Sequence, residues 1–213
     1  MRYDVLLAPL ASRLRQPLPG HAAHAEMAPF LARATVETLS VERNEGAPAA
    51  TLVLLYPGDA GEARFVLTVR HGGMRTHAGQ VSLPGGRIEA GETPEDAARR
   101  EAFEEVGVAP DAVTVLGRLT PLFIPPSRFS VWPIVAAVDT RPPFVAQETE
   151  VTAVLDVALA DLFTPGARRQ AMRDAPLGRF DVPYFALAGH EVWGATAMML
   201  AEVAAVVASI NPR

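Results

Sequence analysis

Hydrophobic and polar positions change period several times along the chain, and the changes divide it into helical and extended stretches. Residues 5–11 are largely apolar, with Asp4 before them and Arg13 and Arg15 after, which predicts an amphipathic helix. Pro17, Pro19 and Gly20 end it. A second helix is expected over 22–34 and an extended run over 35–41; His21 and His24 fall in this region and are assigned no role. From Ala50 the pattern becomes strand-like. Residues 51–56 and 65–70 are β-branched or aromatic runs around the turn-rich 57–61, which predicts a hairpin. Further strands are expected over 112–119, 129–138 and 151–157. A short helix over 158–163, a polar arginine-bearing loop to Asp174, and a hairpin of 182–187 with 191–193 around Gly189 follow. The proline-rich 121–127, with Phe123 and Ile124, reads as a stiff surface loop or as a cover over a ligand. The last helix, 195–210, is apolar on nearly every side, with Glu202 its only acid. It is shorter than the roughly 20 apolar residues of a membrane span. Burial on two faces is expected instead, in the core or at a homodimer contact.

Residues 86–108 stand apart because they place several carboxylates on one short helix. Thr93 is the expected N-cap, with Pro94 at the first helical position, Asp96 completing a capping box, and Gly107 as a left-handed terminator. Between these stops Glu101, Glu104 and Glu105 follow at i, i+3 and i+4 and so share a face. A glutamate cluster usually marks a solvated helix surface. Here the only nearby cation is Arg100, read as lying on a different side from Glu104, and acids near a helix C-terminus oppose the macrodipole. Such a cluster costs stability unless positive charge arrives, and carboxylate oxygens are the ligands that hard cations prefer.

These residues resemble the Nudix box, G-x5-E-x7-R-E-U-x-E-E-x-G-U with U a bulky aliphatic residue. Gly86, Glu92, Arg100, Glu101, Glu104, Glu105, Gly107 and Val108 fall on its positions, and only Ala102 is smaller than the pattern asks. The resemblance implies an α/β sandwich with a mixed sheet between helices. It also implies hydrolysis of nucleoside diphosphates linked to another moiety, with Mg²⁺ or Mn²⁺ as cofactor. By the same resemblance Glu101, Glu104, Glu105 and the main-chain carbonyl of Gly86 are metal ligands, while Glu92 pairs with Arg100 in a structural role. Upstream, residues 66–86 are similar to the additional motif of coenzyme A pyrophosphatases. Leu67, Thr68, Arg70, Arg75, Gly79, Pro84, Gly85 and Gly86 match, while His71 and Leu83 depart from it. Pro183, Tyr184, Gly189, His190 and residues 193–197 look like that subfamily's closing segment. The implied substrate is coenzyme A or a derivative, cleaved to phosphopantetheine and adenosine 3′,5′-bisphosphate; the two departures bear on the substrate rather than the chemistry.

As chemistry the upstream motif is an anion site, because the forks of Arg70 and Arg75 suit bidentate phosphate binding. Gly79 is assigned to the same substrate-binding loop; His77 is read as an ordinary loop histidine. Attack of water on phosphorus needs a base, expected to be Glu101 or else Glu150, in Q-E-T-E-V ahead of the 151–157 strand. At 213 residues the chain is expected to form one domain, 1–213, with 1–45 a helical extension and 50–207 the core. A net charge of −5 argues against a general nucleic-acid binder, and the absence of cysteine excludes disulfides and thiolate chemistry. Without a convincing export signal a cytoplasmic location is expected. The sequence contains no G-x-S-x-G elbow, P-loop or paired zinc-binding histidines. Two other functions stay open: hydrolysis of another diphosphate-linked nucleoside, and nucleotide binding without cleavage. Retention of every box glutamate weighs against the second.

Overall fold

The alternation that begins near residue 50 becomes one mixed sheet. The structure, a computed structural model, describes residues 1–29, 36–71, 79–175 and 178–210. Strand β1 (Ala47–Pro57) turns back into β2 (Ala63–Arg70) as the expected antiparallel hairpin, with Leu55 opposite Phe65. On its other edge β1 runs parallel to β7 (Phe129–Ala137), from Ala47 opposite Phe129 to Leu55 opposite Ala137. Five further strands complete this sheet among the described residues. They are β3 (Val81–Ser82), β4 (Gly85–Arg87), β5 (Thr114–Arg118), β6 (Leu122–Ile124) and β8 (Val151–Ala158). The order is β3-β2-β1-β7-β5, with β4 also on β1, β6 on β7 and β8 on β2.

Residues of β1 are buried on both sides of the sheet, which is why its sequence is a continuous apolar run. Ala50, Leu52, Leu54 and Tyr56 face helix α3 (Pro94–Val106), where they meet Ala97, Ala98, Ala102 and Val106. Ala49, Val53 and Leu55 face the opposite layer. That layer holds α1 (Tyr3–Arg13) and α4 (Gly194–Ile210), while α2 (His21–Glu26) packs on α4. Helices thus cover both faces of a mixed sheet, the expected α/β sandwich. α4 is buried by its own chain, so the core is what its apolar surface serves.

Several expectations need correction. The helix expected over 22–34 stops at Glu26, because Pro29 disfavours helical geometry in the residue before it; positions 30–34 lie outside the described residues. Residues Val36–Leu39 form a 3-10 turn rather than an extended run. The segment 121–127 is not only a loop: Leu122–Ile124 is strand β6, paired to β7 and closed by a turn in which Arg128 has φ 53°. The arginine-bearing stretch before Asp174 is strand β9 (Arg168–Ala175). It pairs with β10 (Gly178–Leu187), which pairs with β11 (His190–Trp193). R-R-Q-A-M-R-D-A has almost no β-branched character, so cross-strand pairing rather than propensity makes it a strand. The hairpin around Gly189 is as expected.

Candidate active site

The acidic segment folds as its stop signals require. Thr93 Oγ1 accepts the Asp96 amide at 3.2 Å and the Asp96 carboxylate accepts the Thr93 amide at 3.3 Å, closing the capping box before Pro94. At the other end Gly107 has φ 75°, and its amide donates to Phe103 O at 3.0 Å. With the alanines of α3 packed on the sheet, Glu101, Glu104 and Glu105 fan out from one side and differ sharply in exposure. Their side chains are 14%, 53% and 3% exposed.

Glu105 points inward. Its Oε2 accepts the Gly85 amide at 3.3 Å, and Oε1 lies 3.7 Å from the Arg70 guanidinium. Burial pushes its carboxyl up to about 7, against the pull of Arg70 and the Gly85 amide and with the help of Glu101 and Glu150. Burial likewise raises Glu101, opposed by Arg100 and reinforced by the charges of Glu104 and Glu150. Strand β4 brings Gly86 against this helix, opposite Ala50 in β1. A Cβ there would land on the Glu101 carboxylate, so only glycine lets the strand and the acid approach this closely.

Arg100 organises the outer half of the site. Its Nε and Nη2 hold the Glu92 oxygens at 2.7 and 3.1 Å, Nη1 donates to Glu101 at 2.8 Å and Glu104 at 3.0 Å, and Nη2 donates to Arg87 O at 2.9 Å. Glu92 is held below the ordinary carboxylate range chiefly by that hydrogen-bonded guanidinium. The expected Glu92–Arg100 tie is therefore present. The reading that Arg100 lies on another side from Glu104 is wrong, since residues four apart on a helix are neighbours. As the side chains stand, no three imidazole or carboxylate groups converge on one metal position among the described residues. The donor set nevertheless suits a hard cation: it offers oxygen ligands only, among them the partly buried Glu101 and the buried Glu105, whose carboxyls burial raises. Arg100 supplies positive charge to Glu101 and Glu104.

The other expected site residues fall around this core. Arg70 ends β2 beside Glu105. Glu150 lies in an exposed turn; its carbonyl accepts the His71 amide at 2.8 Å, and its charge acts on both Glu101 and Glu105. Gly79 has φ 71° and donates to Arg70 O at 3.1 Å, closing the loop base. Arg75 and His77 lie outside the described residues. Leu83, one of the two motif departures, is a core residue at 2% exposure, so replacing phenylalanine there alters packing rather than a ligand contact. Sequence reasoning did not find the ties of Glu105 to Gly85 and Arg70, because nothing local signals which glutamate turns inward.

Gly86→Ala is expected to displace the Glu101 carboxylate while leaving the fold intact, since the atoms it meets end a movable side chain. Turnover should fall by about tenfold or more with the melting temperature within a few degrees of wild type. Equal turnover by product release would show that this approach is not needed.

A match to the NUDIX domain family spans residues 46–174. The chain is 33% identical over 179 residues to Nudix hydrolase 22, chloroplastic, of Arabidopsis thaliana, covering 80% of this chain and 59% of that relative. It therefore spans less than two thirds of the plant protein's length. It is 38% identical over 147 residues to an Escherichia coli protein named "Uncharacterized Nudix hydrolase NudL", covering 66% of this chain and 73% of that one. Among solved structures, the Nudix hydrolase RenU of M. smegmatis has a TM-score of 0.55 at 20% identity, over 76% of this chain and 86% of that chain.

Proposed function

Since the chain belongs to the Nudix hydrolase family, we propose that it is a divalent-metal-dependent pyrophosphohydrolase that cleaves the diphosphate of coenzyme A or its derivatives. The products are phosphopantetheine and adenosine 3′,5′-bisphosphate. The observation that carries the reading is the buried Glu105 carboxylate beside Glu101 at the close approach of Gly86, with Arg70 at its edge. The substrate assignment rests on the motif running from Leu67 to Gly86, in which Leu83 departs at a buried core position and His71 departs within the motif itself. The catalytic core is residues 50–207, and residues 1–45 are a helical extension of the same domain.

Glu101, Glu104, Glu105 and the Gly86 carbonyl would hold Mg²⁺ or Mn²⁺, which would supply an acidified water and positive charge against the phosphate oxygens. Arg70 and Arg75 receive the anionic diphosphate or the 3′-phosphate through their guanidinium forks. Glu101 is engaged by Arg100 and largely buried, whereas Glu150 is exposed and near enough for its charge to reach both Glu101 and Glu105. Glu150 is accordingly the base that takes the proton of the attacking water. Arg100 keeps the loop and helix in register through Glu92 and the Arg87 carbonyl.

Glu150→Gln should lower kcat by about 10² to 10⁴ with KM and metal affinity close to wild type. If metal affinity falls in step with kcat, Glu150 is a ligand and the base lies elsewhere. Product release from a panel of coenzyme A, acyl-coenzyme A, sugar nucleotides and dinucleoside polyphosphates, with Mg²⁺ and then Mn²⁺, tests the substrate. A higher kcat/KM for a panel member outside the coenzyme A group overturns the assignment, and tight binding without cleavage of any of them overturns the enzyme reading.

A further inference from the structure

The segment containing α2 meets α4 through a polar contact shut away from solvent. Glu202 and His24 both have 0% exposure. Glu202 Oε1 accepts the Gly20 amide at 2.9 Å and Thr120 Oγ1 at 2.6 Å, while Oε2 accepts the Thr120 amide at 3.0 Å and faces His24 Nε2 at 3.0 Å. With so many donors converging on it the carboxylate is ionised, so His24 Nε2 carries a hydrogen and donates. The remaining nitrogen of that ring, Nδ1, lies 3.1 Å from Nδ1 of His21.

Two ring nitrogens at that separation accommodate one hydrogen between them. With His24 Nε2 already protonated, the pair can be neutral, or it can carry one positive charge that Glu202 balances. A second charge requires a hydrogen on both facing nitrogens, which breaks the contact and sets two cations against each other at a ring separation of 5.3 Å. The other charges nearby do not remove this conflict. Glu42 acts on His21 from the segment after Leu39, and Glu26 on α2 is paired with Arg168 of β9.

We infer that His21 and His24 form a one-proton latch, which holds the N-terminal segment on α4 at neutral pH and releases it when a second proton enters. His21 is half-buried, so it is the point of entry from solvent. Burial, and then the neighbouring His24, lower its affinity for a proton, with Glu202 and Glu42 opposing. In the open segment histidine titrates near its ordinary value of about 6.5. The closed state therefore binds fewer protons than the open one below that value. Its stability is full above about 6.5 and is lost as pH falls through the lowered His21 value. Opening removes the Gly20 and His24 donors from Glu202 and leaves Thr120, at the entrance to β6, as its partner.

Two measurements on the full chain test this. Long-range ¹⁵N–¹H spectra of the imidazoles read each ring's charge. Amide hydrogen exchange over α2, corrected for the intrinsic pH dependence of exchange, reads opening. In the wild type the second imidazole is expected to become cationic only as α2 protection falls, by about tenfold per pH unit, the slope for uptake of one proton. His21→Asn removes the conflict and should leave α2 protected down to pH about 5. Both rings cationic with α2 still protected would overturn the latch. So would a His21→Asn protein that opens with the wild-type slope.

Discussion

Glu105→Gln is expected to lower turnover by at least about a hundredfold while making the metal-free protein more stable at pH 8. Opposite movements follow from where this carboxylate is. It is 3% exposed, and burial is the leading reason that its carboxyl rises to about 7 from 4.5. A group whose folded value is raised contributes stability that is fully present below the unfolded value and is lost as pH rises through the folded one. Without metal, then, the wild type should lose stability between about pH 4.5 and 7, by up to roughly 3 kcal/mol for a shift of this size. Glutamine keeps an oxygen for the Gly85 amide and carries no charge, so that loss should disappear. Urea unfolding at pH 5 and pH 8, with and without Mg²⁺, reads the stability, and product release reads turnover. If the proposed metal site is right, metal should stabilise the wild type more at pH 8 than at pH 5, because a carboxylate binds a cation only when ionised. A variant less stable than wild type at pH 8 would mean that the charge at this position serves the fold rather than a cation.

Glu202→Ala is expected to cost about 3–5 kcal/mol, as when one partner of a buried charged contact is removed. Alanine leaves the Gly20 amide, the Thr120 amide and hydroxyl, and His24 Nε2 without their shared acceptor inside the protein. For a chain of this length the melting temperature should fall by roughly 10 °C or more. The hydrogen bonds from His24 and Thr120 hold the Glu202 carboxyl below its ordinary value despite burial. The stability it contributes is present above the unfolded value of 4.5 and is lost as pH falls through the lowered one. Thermal unfolding at pH 7 against pH 4 should therefore show a smaller difference in the variant than in wild type. Its kcat/KM at a temperature where it stays folded should remain near wild type, since these groups lie on the face of the sheet away from α3. A loss of less than 1 kcal/mol would show that water replaces the carboxylate as acceptor.

The parts legible in the sequence are those whose causes are local. Thr93, Pro94, Asp96 and Gly107 state where α3 begins and ends, because capping depends on residues three or four positions apart. The β1–β2 hairpin is announced by two apolar runs around a short turn, and the spacing of Glu101, Glu104 and Glu105 places them on one side of a helix. What failed was non-local. Strand β9 lacks strand-forming residues and exists because β10 offers it a ladder, and β6 is a strand because β7 lies beside it.

The sequence by itself determined the acidic helix and its caps, because each is encoded by neighbours along the chain or by a side-chain period, while the mixed sheet was expected only through the family resemblance. Only the tertiary structure decided that Glu105 turns inward beside Arg70, that Arg100 spans Glu92, Glu101 and Glu104, and that His24 and Glu202 meet under the N-terminal segment. Burial and charge pairing depend on which distant elements close over a side chain. His24 and Glu202 are 178 positions apart, and no pattern along the chain measures that distance.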